Sequence, residues 1–400
     1  MRVVYISMVK PYKGVPNGGG QTFYYYINQL SKCEDIEVTL ISKVLDTESD
    51  DIDIENVKFI SIRNISVSLR NVGRIFLDVI SKINPFNKKG VTLRRSVYTQ
   101  IENELKRMKE APDVVILEFT QMVLMIDIVK KYFPNAKIFA SEHDVSFLRC
   151  RREYENENNF IKKAYKKIIY KTMLKYEIGA LEKCDLIMPH NDKDKKLLLE
   201  KGIDEEKIFT LVPYYNVLNV ERVNKSKDII FYGAMNRQEN YESAIWFIEK
   251  VMPLLEKEDI RFVVVGANPV EVLQKLQSDR VVVTGYVDSV IDYFENCLCL
   301  VAPLISGAGI KIKILEAMAA GVPVITNSIG IEGIPAINES DYLHCETPNE
   351  YADSIRKILQ KEIDVEKLSM NSKKIVGKFN LSKSFDAYSA HIRYCFREQK

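Results

Sequence analysis

Four hundred residues exceed what one hydrophobic core usually organises, so two domains are expected. Apolar residues make up 46% of the chain and charged residues 28%, which excludes a disordered chain, a collagen-like chain and a small disulfide scaffold. With 57 Lys+Arg against 55 Asp+Glu the net charge is +2, too balanced for a wholesale nucleic-acid coat.

Short apolar runs alternate with helical patterns from the start of the chain. Strands are expected at 2–7, 37–42, 58–62, 113–118, 137–141, 185–188 and 208–212. Most are continuously apolar, as strands covered on both faces must be. Between the first two lies a helical stretch, 21–30, in which Phe23, Ile27 and Leu30 share a face. Residues 213–227 are polar and read as a linker. The rhythm restarts with strands at 228–232, 261–265, 281–284, 298–302 and 323–326. The pattern predicts an α/β protein with two doubly wound parallel sheets, one in 1–212 and one in 228–380. A helix in 381–400 is expected to pack back on the first domain. Ligands of such sheets bind at the carboxyl ends of the strands, here in a cleft between the domains.

The seven cysteines are odd in number and scattered, which suggests reduced thiols in a cytoplasm. Cys297 and Cys299 have the wrong spacing for a zinc knuckle and read as buried packing. The N-terminal stretch lacks the apolar core of a signal peptide, and no run reaches the roughly 18 apolar residues of a membrane span. Any membrane contact is therefore expected to be peripheral.

The strongest local signal is Ser306-Gly307-Ala308-Gly309-Ile310-Lys311-Ile312-Lys313 followed by Ile314-Leu315-Glu316-Ala317-Met318-Ala319. A strand runs into small residues, and an Ala-rich helix is expected to begin near Gly309. Glycines permit close backbone approach, and the free N–H groups of a helix N-terminus attract phosphate. Lys311 and Lys313 would oppose the helix dipole in the first turn unless an anion sits there. Lys311 has no evident carboxylate partner. Glu316, about two turns in, is placed to accept hydrogen bonds from a ribose diol. The bland alternatives are a glycine-rich loop, solvated lysines and a surface glutamate.

A second cluster, Asn17-Gly18-Gly19-Gly20, lies between the first strand and the first helix, without the G-x-G-x-x-G spacing of a dinucleotide site. A third, Ser141-Glu142-His143-Asp144, follows a strand and offers titratable groups at its carboxyl end; His190 is a weaker candidate. His344 and His391 read as structural. Asp51-Ile-Asp53 and Asp192-Lys-Asp194 match a metal-binding D-x-D, but both sit in mixed surface stretches and are rejected. Residues 58–95 carry nine basic residues and one acidic residue, and 160–176 carries six lysines, each interleaved with apolar groups. Such patches suit anionic lipid headgroups.

These residues form an ordered set. Phe231-Tyr-Gly-Ala-Met-Asn-Arg-Gln-Glu-Asn240, Ala244-Ile-Trp-Phe247, Thr284-Gly-Tyr-Val-Asp288, the run from Gly307 to Pro323 and Gly330-Ile-Glu-Gly-Ile334 resemble the second domain of glycosyltransferase family four. Gly18–Gly20 and Glu142-His143-Asp144 continue the likeness upstream. The resemblance implies the GT-B fold, two Rossmann-like domains facing across a cleft. It implies transfer of a sugar from a nucleotide donor with retention of configuration and no metal. Retention would proceed through a short-lived oxocarbenium-like species with front-face attack.

By the same resemblance the first domain binds the acceptor and the second the nucleotide sugar. His143, Lys311 and Arg237 would be the catalytic groups. Gly19, Gly20, Gly307, Gly309, Ile310, Lys313, Glu316 and Asn240 would hold the donor. Glu142 and Asp144 would lie on the acceptor side. One departure is Ala308, which stands where the family commonly has a first glutamate. The implied role is synthesis of a bacterial capsule, O-antigen or other surface polysaccharide on a glycan or lipid-linked acceptor. The implied place is the inner face of the plasma membrane, peripherally. Two rivals share the fold: a nucleotide-sugar epimerase, and a non-catalytic partner subunit.

Overall fold

The computed structural model describes residues 1–15, 17–45, 48–63, 84, 95–218, 220–223, 226–307 and 309–397. These form two compact units, Met1–Val212 with Leu381–Lys400, and Pro213–Asn380.

The sheet of the first unit contains β1 (Arg2–Ser7), β2 (Glu37–Lys43), β3 (Val57–Ile62), β4 (Val114–Glu118), β5 (Lys137–Glu142) and β6 (Leu186–Pro189). Their order is β3-β2-β1-β4-β5-β6, and every pairing is parallel. Side chains alternate across a strand, so the central strands feed two cores. Val4, Ile6, Val115, Leu117 and Ile138 pack on one face, and Val3, Tyr5, Val114, Ile116 and Phe139 on the other. Apolar residues are needed on both sides, which is why these strands read as continuous runs.

The helix Leu381–Arg397 completes the second of those faces. Its Tyr388 and Ile392 join the core there. The Tyr388 hydroxyl lies 2.5 Å from that of Tyr5, and Ser384 Oγ lies 2.7 Å from the Tyr26 hydroxyl. The expected strand at 208–212 is absent. Phe209 and Leu211 donate to the Ile187 and Pro189 carbonyls, but only Ile187 and Ile208 form a bridge. Pro189 has no N–H to return a bond, and Pro213 follows at once, so the ladder does not propagate.

The second unit repeats the topology. It contains β7 (Asp228–Tyr232), β8 (Arg261–Val265), β9 (Val281–Gly285), β10 (Cys299–Ala302), β11 (Val324–Thr326) and β12 (Leu343–His344). The order is β12-β11-β10-β7-β8-β9, again all parallel. Strand β12 has two residues, too few to show a sequence pattern. Cys297 and Cys299 are buried free thiols within this core.

In the polar stretch 213–227 several described side chains bond to the rest of the second unit. Tyr215 is buried and donates to the Phe379 carbonyl at 3.1 Å. Arg222 and Ser226 donate to the carbonyls of Phe294 and Asn296 at 2.6 and 2.9 Å. The basic segment 58–95 falls mostly outside the described residues, Lys88, Lys89 and Arg94 included, and so does Ala308. Among the described residues no helix is long and apolar enough to cross a membrane.

In each sheet the strand order reverses once, between β1 and β4 and between β7 and β10. Connections leave those strands in opposite directions, which opens a crevice at their carboxyl ends.

Candidate functional site

In the first unit the reversal point gathers the glycine cluster, the end of β4 and the end of β5. The three glycines form the opening turn of the helix Gly18–Leu30 rather than a loop. Asn17 caps that helix, its Oδ1 accepting from the Gly20 N–H at 2.6 Å. A Cβ on Gly19 would lie 3.0 Å from the Phe119 ring and 3.1 Å from His143 Nδ1. The glycine therefore serves close packing of the helix start against the histidine.

His143 is buried. Its Nε2 lies 2.8 Å from Glu118 Oε2, its ring stacks on Phe119 at 4.2 Å, and His190 packs 4.3 Å away. A carboxylate facing Nε2 makes that nitrogen the donor and orients the ring. His143 Nδ1 is buried without a hydrogen-bond partner. Burial and the neighbouring His143 hold the His190 pKa well below the usual value, so His190 stays neutral. Phe119 takes a positive φ of 71°, a conformation unfavourable for a side chain with a Cβ. It turns the chain so that the ring covers the histidine.

Glu142 points to the opposite face of β5 from His143. It is fully buried, accepts from Thr120 Oγ1 at 2.6 Å, and its other oxygen has no partner. Burial, followed by the charge of Glu177, raises its pKa well above the carboxylate range. Asp144 lies 3.9 Å from Arg149. Glu142 and His143, adjacent in sequence, thus occupy different environments, and only His143 meets the glycine cluster.

In the second unit the reversal point gathers Arg237, Asn240, Lys311, Lys313 and Glu316. The helix after β10 is Ile312–Ala319, beginning three residues later than expected. Gly307 and Gly309 take positive φ values of 130° and 70°, which holds the preceding stretch out of helical geometry. Lys311 consequently stands just ahead of the helix and Glu316 little more than one turn into it. Ile310 lies between Gly309 and Lys311 in that non-helical stretch.

Lys311 Nζ donates to the Gly309 carbonyl at 2.5 Å and lies 3.7 Å from Glu332 Oε2. It therefore does have a carboxylate neighbour, 21 positions along the chain. Lys313 Nζ donates to Asn240 Oδ1 at 2.6 Å and sits 4.5 Å over the Phe231 ring. Burial, then the positive charge of Arg237, lowers its pKa to about 7. A Cβ on Gly233 would lie 3.0 Å from that ammonium, so the bare backbone there admits it. Arg237 precedes the helix Gln238–Lys250 and pairs with Glu239.

Glu316 is only 7% exposed. Its Oε1 accepts from the Asn216 N–H at 3.1 Å and from Asn216 Nδ2 at 2.9 Å, and Oε2 accepts from the Tyr232 hydroxyl. A carboxylate offers about four acceptor positions, so three are already engaged. Burial raises its pKa, opposed by those same bonds.

Sequence reasoning gave no role to Glu118, Phe119, Asn216, Tyr232 and Glu332, although Tyr232 and Glu332 lie within the segments that carry the resemblance. Glu118 carried a signal: an acid closing the apolar run Val114–Glu118 at a strand's carboxyl end. The D-x-D pairs are engaged within the protein. Asp53 accepts from the Lys13 N–H, and Asp194 is bonded to Asn191. Among the described residues no group of three or more His, Cys, Asp or Glu is placed to hold a metal ion.

Residues 226–361 match the family model of Glycosyl transferases group 1. The matched stretch contains Arg237, Asn240, Lys311, Lys313 and Glu316. The chain is 26% identical over 209 residues to an uncharacterized 44.6 kDa protein in the cps region of Klebsiella pneumoniae, covering 48% of this chain and 51% of that one. A 41.2 kDa protein of the same region is 25% identical over 218 residues. The chain thus spans about half the length of the curated relatives it matches. Among solved structures it resembles sucrose-phosphate synthase from Thermosynechococcus elongatus, with a TM-score of 0.72 at 15% identity over 100% of both chains. It also resembles HepE from Anabaena in complex with UDP-glucose, with a TM-score of 0.66 at 9% identity over 98% of this chain and 100% of that one. At such identity the likeness shows the fold, GT-B with two Rossmann-like units.

Proposed function

We propose that the protein is a retaining glycosyltransferase that moves a sugar from a nucleotide donor to a glycan or lipid-linked acceptor in surface-polysaccharide synthesis. The observation that carries this reading is the gathering of Lys311, Lys313, Arg237 and Glu316 at one strand-order reversal, inside the stretch that matches the transferase family. The cationic groups would meet the diphosphate and stabilise the charge left on it when the sugar–phosphate bond breaks. Glu316 would meet the ribose, which displaces Asn216 Nδ2 from the carboxylate. His143, whose Nδ1 has no hydrogen-bond partner, would face the transferred sugar. The cps-region relatives support a capsule role, and the HepE complex supports a UDP-sugar as the donor to try first.

The deciding experiment incubates the protein with a panel of nucleotide sugars and lipid-linked glycans. Transfer with retained anomeric configuration is expected. Release of epimerised sugar without acceptor would establish the epimerase reading, and failure to bind any nucleotide would establish the non-catalytic one.

Lys311→Ala should lower kcat/KM by about 10–100-fold, the loss of one charge-assisted hydrogen bond at about 1.5–3 kcal/mol. Unchanged kcat/KM in the folded variant removes Lys311 from the site. Because lysines and arginine supply the positive charge, the proposal includes metal-independent transfer. Activity should survive EDTA, and rescue of a chelated enzyme by Mg²⁺ or Mn²⁺ would refute this part. Peripheral attachment to the cytoplasmic membrane face completes the reading, since a lipid-linked acceptor lies there.

A further inference from the structure

The helix Phe160–Leu181 has two unlike halves. Its buried residues, Met173, Glu177, Ala180 and Leu181, all lie in the C-terminal part. The N-terminal part lies beside the helix Ser146–Glu155 and is capped by Asn159, whose Oδ1 accepts from the Ile161 and Lys162 N–H groups. Phe160 is 85% exposed, Ile161 77%, Tyr165 40% and Ile168 37%.

At about 100° per residue, Phe160, Ile161, Ala164, Tyr165 and Ile168 fall within an arc of roughly 140°. The buried residues fall on the other side of the helix. The exposed apolar groups are therefore not the outer rim of the core stripe but a second stripe facing away from it. A stripe of this size on a helix already anchored by its opposite face marks an interaction surface.

Its charge selects the partner. Residues 160–176 contain six lysines and no acidic residue. Lys162, Lys163 and Lys166 fall on the core-facing side, where Lys166 pairs with Glu157, whereas Lys167, Lys171 and Lys175 lie within or at the edge of the apolar arc. Two copies of this face packed together would set lysines against lysines. An anionic lipid surface satisfies both features, apolar side chains entering the headgroup region and ammonium groups meeting phosphates.

We propose that the stripe Phe160, Ile161, Ala164, Tyr165 and Ile168 is a docking surface for anionic phospholipid. This deepens the membrane-linked reading above and rests on it for its purpose, although the binding itself is separately measurable. The test is sedimentation of the whole chain with vesicles of phosphatidylcholine containing about one-third phosphatidylglycerol. Binding should exceed that to pure phosphatidylcholine and should fall as salt rises. The double variant Ile161→Glu, Ile168→Glu should bind at least about tenfold more weakly, with an unchanged melting temperature because both sites are exposed. Its donor affinity should match wild type.

Equal vesicle binding by the double variant overturns the proposal. So does a wild type that ignores anionic vesicles while the substitutions dissociate a dimer, which would make the stripe a contact between copies. If vesicles bind as expected but no nucleotide sugar does, the docking surface stands and the transferase reading falls.

Discussion

Replacing Glu316 by alanine is expected to abolish nucleoside-diphosphate binding at concentrations that saturate the wild type, and to lower the unfolding free energy by about 2–4 kcal/mol. The two effects share one cause. The carboxylate is buried and satisfies Asn216 twice and Tyr232 once. Without it, the enclosed Tyr232 phenol loses its acceptor and the exposed Asn216 loses its anchor, while the nucleotide loses the group proposed to hold its ribose. Glu316→Gln separates these contributions. It keeps the shape but sets an amide donor against one of the existing donors, so much of the packing survives while binding falls. Calorimetric titration with nucleoside diphosphates, beside chemical unfolding, reads both. A Glu316→Ala protein that binds nucleotide like wild type would exclude the ribose role.

The second large effect concerns pH. Lys313 is half-buried, its ammonium accompanied by an amide oxygen and an aromatic ring, with Arg237 and Lys311 opposing its charge and Glu239 favouring it. With its pKa lowered to about 7, a substantial fraction is neutral in the free protein at neutral pH. A bound diphosphate favours the ammonium, so donor binding should draw in a proton. The sign follows directly. As pH rises above about 7, protonating Lys313 costs more, and the donor KM should rise. Stability should move the other way. The unfolded chain holds this proton up to the ordinary lysine pKa, so between about 7 and 10.5 it binds more protons than the folded form, and Lys313 makes stability increase with pH. Lys313→Met should remove both slopes and weaken donor binding by about 10–100-fold, or roughly 1.5–3 kcal/mol. Titration in buffers of different ionisation enthalpy measures the proton uptake. A donor KM that stays flat from pH 7 to 9 in wild type would refute the linkage.

Much of the fold was legible because parallel strands covered on both faces must be apolar throughout. Runs such as Val114–Glu118 and Arg261–Val265 leave little choice of assignment. The site was legible where chemistry sits on a short stretch of chain, as at Gly307–Glu316 and Ser141–Asp144. It failed where partners meet only in space. Nothing near Lys311 in sequence announces Glu332, and nothing near Glu316 announces Asn216, a hundred positions earlier. The polar segment 213–227 likewise gives no hint of its partners, the Glu316 carboxylate for Asn216 and the Phe294 and Asn296 carbonyls for Arg222 and Ser226. The glycines at 18–20 suggested a loop by composition. They proved helical because close packing, not turning, is what demands them there. The helix near Gly309 began late because two positive-φ glycines cannot join it without losing that geometry.

The pairing of Tyr5 with Tyr388 sets an order on biosynthesis. The two tyrosines are 383 positions apart, and the whole of the second unit is made between them. At 5–20 residues per second, roughly 20–80 seconds pass before the ribosome delivers the helix that covers Tyr5 and Tyr26. During that interval the second unit, one unbroken stretch, can close, while the first waits with an aromatic face open to chaperones or to other nascent chains. A nascent polypeptide arrested before residue 381 should therefore expose apolar dye-binding surface that the full-length protein conceals.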